Sequence, residues 1–80
     1  MYNNIPLTEL RINEKGKIKK ITVDNSIKRR LLDLGLIENT EIEVLQKSPF
    51  GDPVAYSIRG AVIALRSEIA SNILIERLMG

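Results

Sequence analysis

Neither cysteine nor histidine occurs anywhere in these 80 residues, so no disulfide and none of the usual soft-metal ligands can brace the fold. Packing alone has to hold it. A domain this short buries only about 60% of the surface that its unfolded chain exposes, which leaves little room for a dilute core. The chain answers with twelve Ile, ten Leu and four Val. Each such side chain stabilises by roughly 1.5–3 kcal/mol once buried, enough in sum to offset the entropy of ordering the backbone. No apolar run approaches the ~18 residues of a membrane span. The start, Met1-Tyr2-Asn3-Asn4, lacks the charged opening and apolar middle of a secretion signal. The expectation is one cytoplasmic domain over residues 1–80, with cysteine absent as a reducing compartment allows.

How the aliphatics are spaced sets the fold class. Turn residues recur about every ten positions between short alternating runs, the pattern of a small all-β barrel. Pro6 to Leu10 reads as a single helical turn or packed lead-in. In the run Lys17-Ile18-Lys19-Lys20-Ile21-Thr22-Val23 the apolar parity switches between Ile18 and Ile21, which predicts a bulge where the sheet curls. Residues 26–34 predict a helix with Asn25 or Ser26 as cap and Ile27, Leu31 and Leu34 facing inward. Gly35 ends it in a left-handed conformation, with Leu36 folding back over Leu31. Glu38-Asn39 predicts a tight turn in which asparagine tolerates positive φ. Residues 40–46 then alternate with Ile42 and Val44 inward, and residues 54–65 form a hairpin turning at Gly60 with Val54, Tyr56 and Ile58 on one face. A helical turn at 66–70 precedes a last strand at 72–76 that can close the sheet. The sum is a mainly β barrel of about five strands, with one helix between the first and second.

Charge is distributed unevenly. Residues 11–30 carry eight cations, Arg11, Lys15, Lys17, Lys19, Lys20, Lys28, Arg29 and Arg30, against Glu14 and Asp24, a local +6 in a chain of net +2. Such a segment fits an acidic partner, a nucleic acid or a membrane surface. It equally fits lysines that guard an exposed edge strand against pairing.

The ordered series "RRLLDLGLIENTEIEV", "SPFGDPVAYSIRGAVIALR" and "SEIASNILI" resembles the FeoA family, small accessory proteins of bacterial ferrous-iron uptake. The matching elements are Arg30-Leu31, Leu34-Gly35-Leu36, Gly51-Asp52-Pro53, Arg59-Gly60 and Ala64-Leu65-Arg66. The resemblance implies an SH3-like barrel that works in the cytosol beside FeoB, the membrane ferrous-iron transporter with an N-terminal G domain. It also implies kinship with the domain that ends iron-dependent repressors, hence an alternative metal-responsive or nucleic-acid-linked role. Where the family usually has a Pro-Gly turn, this chain has Glu38-Asn39.

Catalysis finds no support in the residues, which include no nucleophile with a histidine partner and no glycine-rich phosphate loop. Metal association follows from the resemblance, yet the chain offers only carboxylates, which hold ferrous iron loosely. Asp52, Glu38 and Glu41 are the candidates for such a site, and no cofactor is expected. Nucleic acid is disfavoured because stacking needs aromatic faces, and of Tyr2, Phe50 and Tyr56 the last alternates with core positions. The remaining chemistry is contact between proteins. Phe50 at a proline-bracketed tip either tucks under the barrel or stands out as a candidate anchor. Gly51, Pro53 and Asp52, whose carboxylate can accept from backbone amides, hold the tip, and Asp52 is also a candidate contact. Arg29 and Arg30 beside Leu32, Leu36 and Ile37 form a second candidate surface. The basic helix and the tip are expected to combine into one surface that meets the cytosolic region of the transporter, through which the domain would approach the membrane. A monomer is the expected state.

Overall fold

Two-residue alternation becomes one antiparallel sheet in the computed structural model, which describes residues 4–78. Its strands are β1 (Asn4–Pro6), β2 (Lys15–Ile21), β3 (Glu41–Lys47), β4 (Val54–Ile58), β5 (Ala61–Leu65) and β6 (Ile73–Leu78). They lie in the order β1-β6-β2-β3-β4-β5. Helix α1 (Asn25–Asp33) joins β2 to β3, and the short helix α2 (Ser67–Ala70) joins β5 to β6.

The fold is mainly β as expected, but with one strand more. Asn4–Pro6 pairs with β6, Ile5 opposite Ile75. Three residues are too few to show an alternation, which is why this strand was not visible in the sequence. The segment after it is the expected lead-in, a 3-10 turn at Leu7–Glu9 that buries Leu7 and Leu10. The last strand does not close a ring. It lies inside the sheet between β1 and β2, where Ile73 and Ile75 are fully buried.

The parity switch in β2 has the cause predicted for it. Pairing with β6 slips between Ile18 and Lys20, so that Ile18 and Ile21 both reach the core. Near its start β2 passes close to β6. A Cβ on Gly16 would lie 2.8 Å from Ile75 Cδ1 and 3.3 Å from the Glu76 carbonyl oxygen, so a residue without a side chain is required. β6 pairs along β2 from Lys15 to Ile21, but β3 pairs only with Lys15 to Lys17. The reading as an edge guard is therefore wrong for Lys17, whereas Lys19 and Lys20 lie beyond the pairing with β3.

Helix α1 begins one residue earlier than expected, and its cap is Asp24, not Asn25 or Ser26. Asp24 Oδ1 accepts from the Ile27 N–H at 3.1 Å and from the Ser26 hydroxyl at 2.9 Å. These bonds favour the ionised form and hold its carboxyl below the usual carboxylate range, the Ile27 amide contributing most. The helix ends as predicted. Gly35 has φ +102, the Leu36 N–H reaches the Leu31 carbonyl at 3.0 Å and the Gly35 N–H the Leu32 carbonyl at 3.0 Å, the paired bonds of a Schellman motif. This turn reassigns the core stripe. Leu36, folded back over Leu31, is fully buried, whereas Leu34 is 45% exposed.

The Glu38-Asn39 turn keeps its shape without proline or glycine. Asn39 takes φ +72, and the Thr40 N–H closes on the Ile37 carbonyl at 3.0 Å. Tertiary bonds support it: the Asn39 N–H donates to the Ile18 carbonyl at 2.6 Å, and Lys19 Nζ donates to Asn39 Oδ1 at 2.9 Å. At the far end of β4, Arg59 and Gly60 both have positive φ, as a two-residue hairpin turn matched to strand twist requires. Ile42, Val44, Tyr56 and Ile58 then close the core from β3 and β4.

Candidate docking surfaces

The loop between β3 and β4 is built to hold one aromatic ring in solvent. Gly51, at φ +84, turns the chain so that its N–H meets the Ser48 carbonyl at 2.8 Å, and the Ser48 N–H meets the Pro53 carbonyl at 3.2 Å. Phe50 stands at this tip 96% exposed. Asp52 fastens the loop from below. Its Oδ1 accepts from the Ser67 N–H at 2.7 Å, and its Oδ2 lies 3.8 Å from Arg66 Nη1. Arg66 occupies the cap position of α2 and its side chain has no oxygen to offer, so Asp52 caps that helix from a distant loop. The sequence pointed to backbone amides as its partners but not to an amide fifteen residues on.

Replacing Asp52 by Ala is expected to lower stability by about 1 kcal/mol, the typical effect of losing a cap. Urea denaturation reads this directly, and faster amide exchange at Ser67 should accompany it. An unchanged urea midpoint would show that Asp52 does not tie the tip to α2.

The second surface lies around the end of α1. Arg29 and Arg30 are exposed and form no ion pair among the described residues. Leu32 and Ile37 are each 43% exposed and line one groove together with Lys28. Leu36 does not belong to this surface, because the Schellman turn places it in the core. Leu34 takes its place, an exposed leucine that the helical period assigned to the interior. Below them runs a groove of ≈ 360 Å³ between α1 and β2, lined in part by Ile21, Leu32, Leu36, Ile37, Lys20 and Lys28.

The two surfaces are not contiguous. Strand β3 starts beside the end of α1 and finishes at the tip loop, so its length, about 20 Å at ~3.3 Å per residue, separates them. The expectation of a single face combining the basic helix and the tip is corrected to two patches at opposite ends of the sheet. The basic segment is also less exposed electrostatically than its sequence implies. Lys15 and Lys17 stand opposite Glu43 and Glu41 on β3, and Lys19 pairs with Glu76 at 3.6 Å.

Among the described residues no three carboxylates converge as a metal group. Asp52 is engaged by Ser67 and Arg66, while Glu38 and Glu41 are exposed. These separate carboxylates lack the imidazole or thiolate donors that suit zinc or hold ferrous iron tightly. Tyr56 is 1% exposed, and burial, aided by the Asp52 charge, pushes its phenol up to about 12. Its ring is in the core and offers no face for stacking a base. Among the described residues no helix is long and apolar enough to cross a membrane.

A family model described as the FeoA domain matches residues 5–77. The chain belongs to the FeoA family. The FeoA family is associated with ferrous-iron transport as an accessory domain. A Porphyromonas gingivalis protein described as an Fe(2+) transport protein A/Fe(2+) transporter FeoB fusion is 31% identical over 70 residues, which are 88% of this FeoA chain. The chain spans only 8% of that relative's length. A FeoA-like protein from Clostridium acetobutylicum, solved by NMR, is 36% identical with a TM-score of 0.88, covering 100% of this chain and 93% of that one. A zinc complex of Stenotrophomonas maltophilia FeoA, described as a prokaryotic SH3 domain protein, matches with a TM-score of 0.74 at 24% identity, covering 89% and 88% of the two chains. The curled sheet of this FeoA domain is thus SH3-like.

Proposed function

We propose that this FeoA domain is a non-catalytic docking module of ferrous-iron uptake that binds the cytoplasmic part of a FeoB-type transporter. The observation that carries this reading is the Porphyromonas gingivalis relative, whose description joins transport protein A and FeoB in one fusion protein. The surfaces of the domain fit the role. Phe50 is a rigidly presented anchor, and buried aromatic anchors contribute a disproportionate share of binding energy between proteins. The arginine and leucine patch at the end of α1 supplies a second contact about 20 Å away, so a partner touching both would span the sheet. The domain acts by shifting the transporter between conformations, which requires different affinities for the two states. For the zinc of the Stenotrophomonas maltophilia complex there is no donor cluster among the described residues, so the reading routes nothing through a metal.

The test is a titration of the cytoplasmic region of the FeoB encoded by the same organism into this domain. Phe50→Ala is expected to weaken the complex about tenfold or more, the loss typical of an anchoring aromatic. The double change Arg29→Ala/Arg30→Ala probes the other patch independently. Absence of a complex with the wild-type domain at about 100 µM, weaker than ordinary specific association, would sink the reading.

A further inference from the structure

The groove between α1 and β2 has a chemistry of its own. Ile21 and Leu36 form its floor, Leu32 and Ile37 its apolar walls, and Lys20 and Lys28 stand at its rim, with Glu38 the one acid lining it. Leu32 and Ile37 remain 43% exposed, although a chain with so few residues gains from burying every aliphatic it has. Lys20 and Lys28 form no ion pair among the described residues, unlike Lys19, which is held by Glu76 and Asn39. The groove therefore combines uncovered apolar walls with uncompensated positive charge.

We propose that this groove binds an acidic amphipathic segment of a partner protein. Carboxylates of that segment meet Lys20 and Lys28, and leucine or isoleucine side chains spaced three or four apart enter between Leu32 and Ile37. Spacing of this kind presents apolar anchors on one side of a helical turn and carboxylates on the other. The shape argues for a peptide over a lipid surface. Leu32 and Ile37 wall a concave groove beside α1, which a flat bilayer cannot follow but which single side chains can enter. The inference deepens the docking reading and rests on it for the partner's identity, while the chemistry of the groove is independent of it.

The probe is a fluorescein-labelled peptide, Glu-Glu-Leu-Glu-Asp-Leu-Leu-Glu-Glu-Leu, titrated with the full chain by anisotropy at about 50 mM and about 300 mM salt, between which screening grows markedly. Expected is saturable binding that weakens with salt, falls tenfold or more in Lys20→Glu/Lys28→Glu, and is lost in Ile37→Ser. Lys47→Glu, at the far end of β3, should leave it unchanged. Circular dichroism confirms that each variant folds, as substitutions at exposed positions should allow. A matching peptide with serine for every leucine should not bind. The inference is overturned if the peptide does not bind, or binds equally to Lys20→Glu/Lys28→Glu. It is also overturned if vesicles of phosphatidylglycerol bind while the peptide does not, or if size-exclusion chromatography shows a dimer that Ile37→Ser dissolves. Retained FeoB binding by Lys20→Glu/Lys28→Glu would remove the groove and leave the docking reading intact. Peptide binding without any FeoB complex would do the reverse.

Discussion

Leu36→Ala is expected to destabilise the domain by about 2–5 kcal/mol, the range for truncating a large aliphatic in a packed core. Its neighbour Leu34→Ala should cost less than about 1 kcal/mol, as exposed substitutions do. The contrast tests a single structural event, the reversal of the chain at Gly35. A continuing helix would keep Leu34 on the inward stripe of Ile27, which is partly buried, and Leu31, which is buried. Instead φ at Gly35 is +102, the helix stops, and Leu36 returns to cover Leu31. Leu36 is fully buried and Leu34 is 45% exposed. In a domain of this size each 1 kcal/mol moves the melting temperature by roughly 4–8 °C, so thermal unfolding separates the two variants without ambiguity. Equal losses would mean that the turn does not assign the core as described.

Alkaline titration carries the second large effect. The Tyr56 phenol is pushed up to about 12, against about 10 for an unperturbed tyrosine. The folded state therefore favours the neutral ring. Its contribution is fully present below about pH 10 and is lost as pH rises from there through about 12. The loss amounts to about 2 kcal/mol. Lysines lose charge over the same range, so the measurement is a comparison: urea stability from pH 8 to 12 for the wild type and for Tyr56→Phe. The wild type should fall more steeply by about that amount. Parallel curves would show that Tyr56 ionises as freely folded as unfolded.

Features decided by local chemistry are legible in the order of the residues. Alternation put Ile42 and Val44, then Val54, Tyr56 and Ile58, on buried faces, because a strand presents every second side chain to the same side. The parity switch between Ile18 and Ile21 marked the bulge in β2, and Gly35 followed by Leu36 marked the helix end. Asn39 announced a positive φ, which it adopts at +72. Phe50 between two prolines was marked as an anchor or a buried ring, and only the tertiary structure set it 96% in solvent.

Other features depend on which distant groups arrive. Asp24, Asn25 and Ser26 are all competent caps, and the geometry of the chain leaving β2 selected Asp24. Three residues at Asn4–Pro6 have no period to read, so only the free edge of β6 makes them a strand. Asp52 was visibly an acceptor, but its donor is the amide of Ser67, brought near by the β4–β5 hairpin. The gap between Phe50 and the arginines, and the groove walled by α1 and β2, exist only once the sheet has curled. Elements and their inward faces follow from neighbouring residues alone, because backbone propensity and side-chain period act within a few residues. The tertiary structure decided caps, edges and surfaces, because these are set by pairings between segments far apart along the chain.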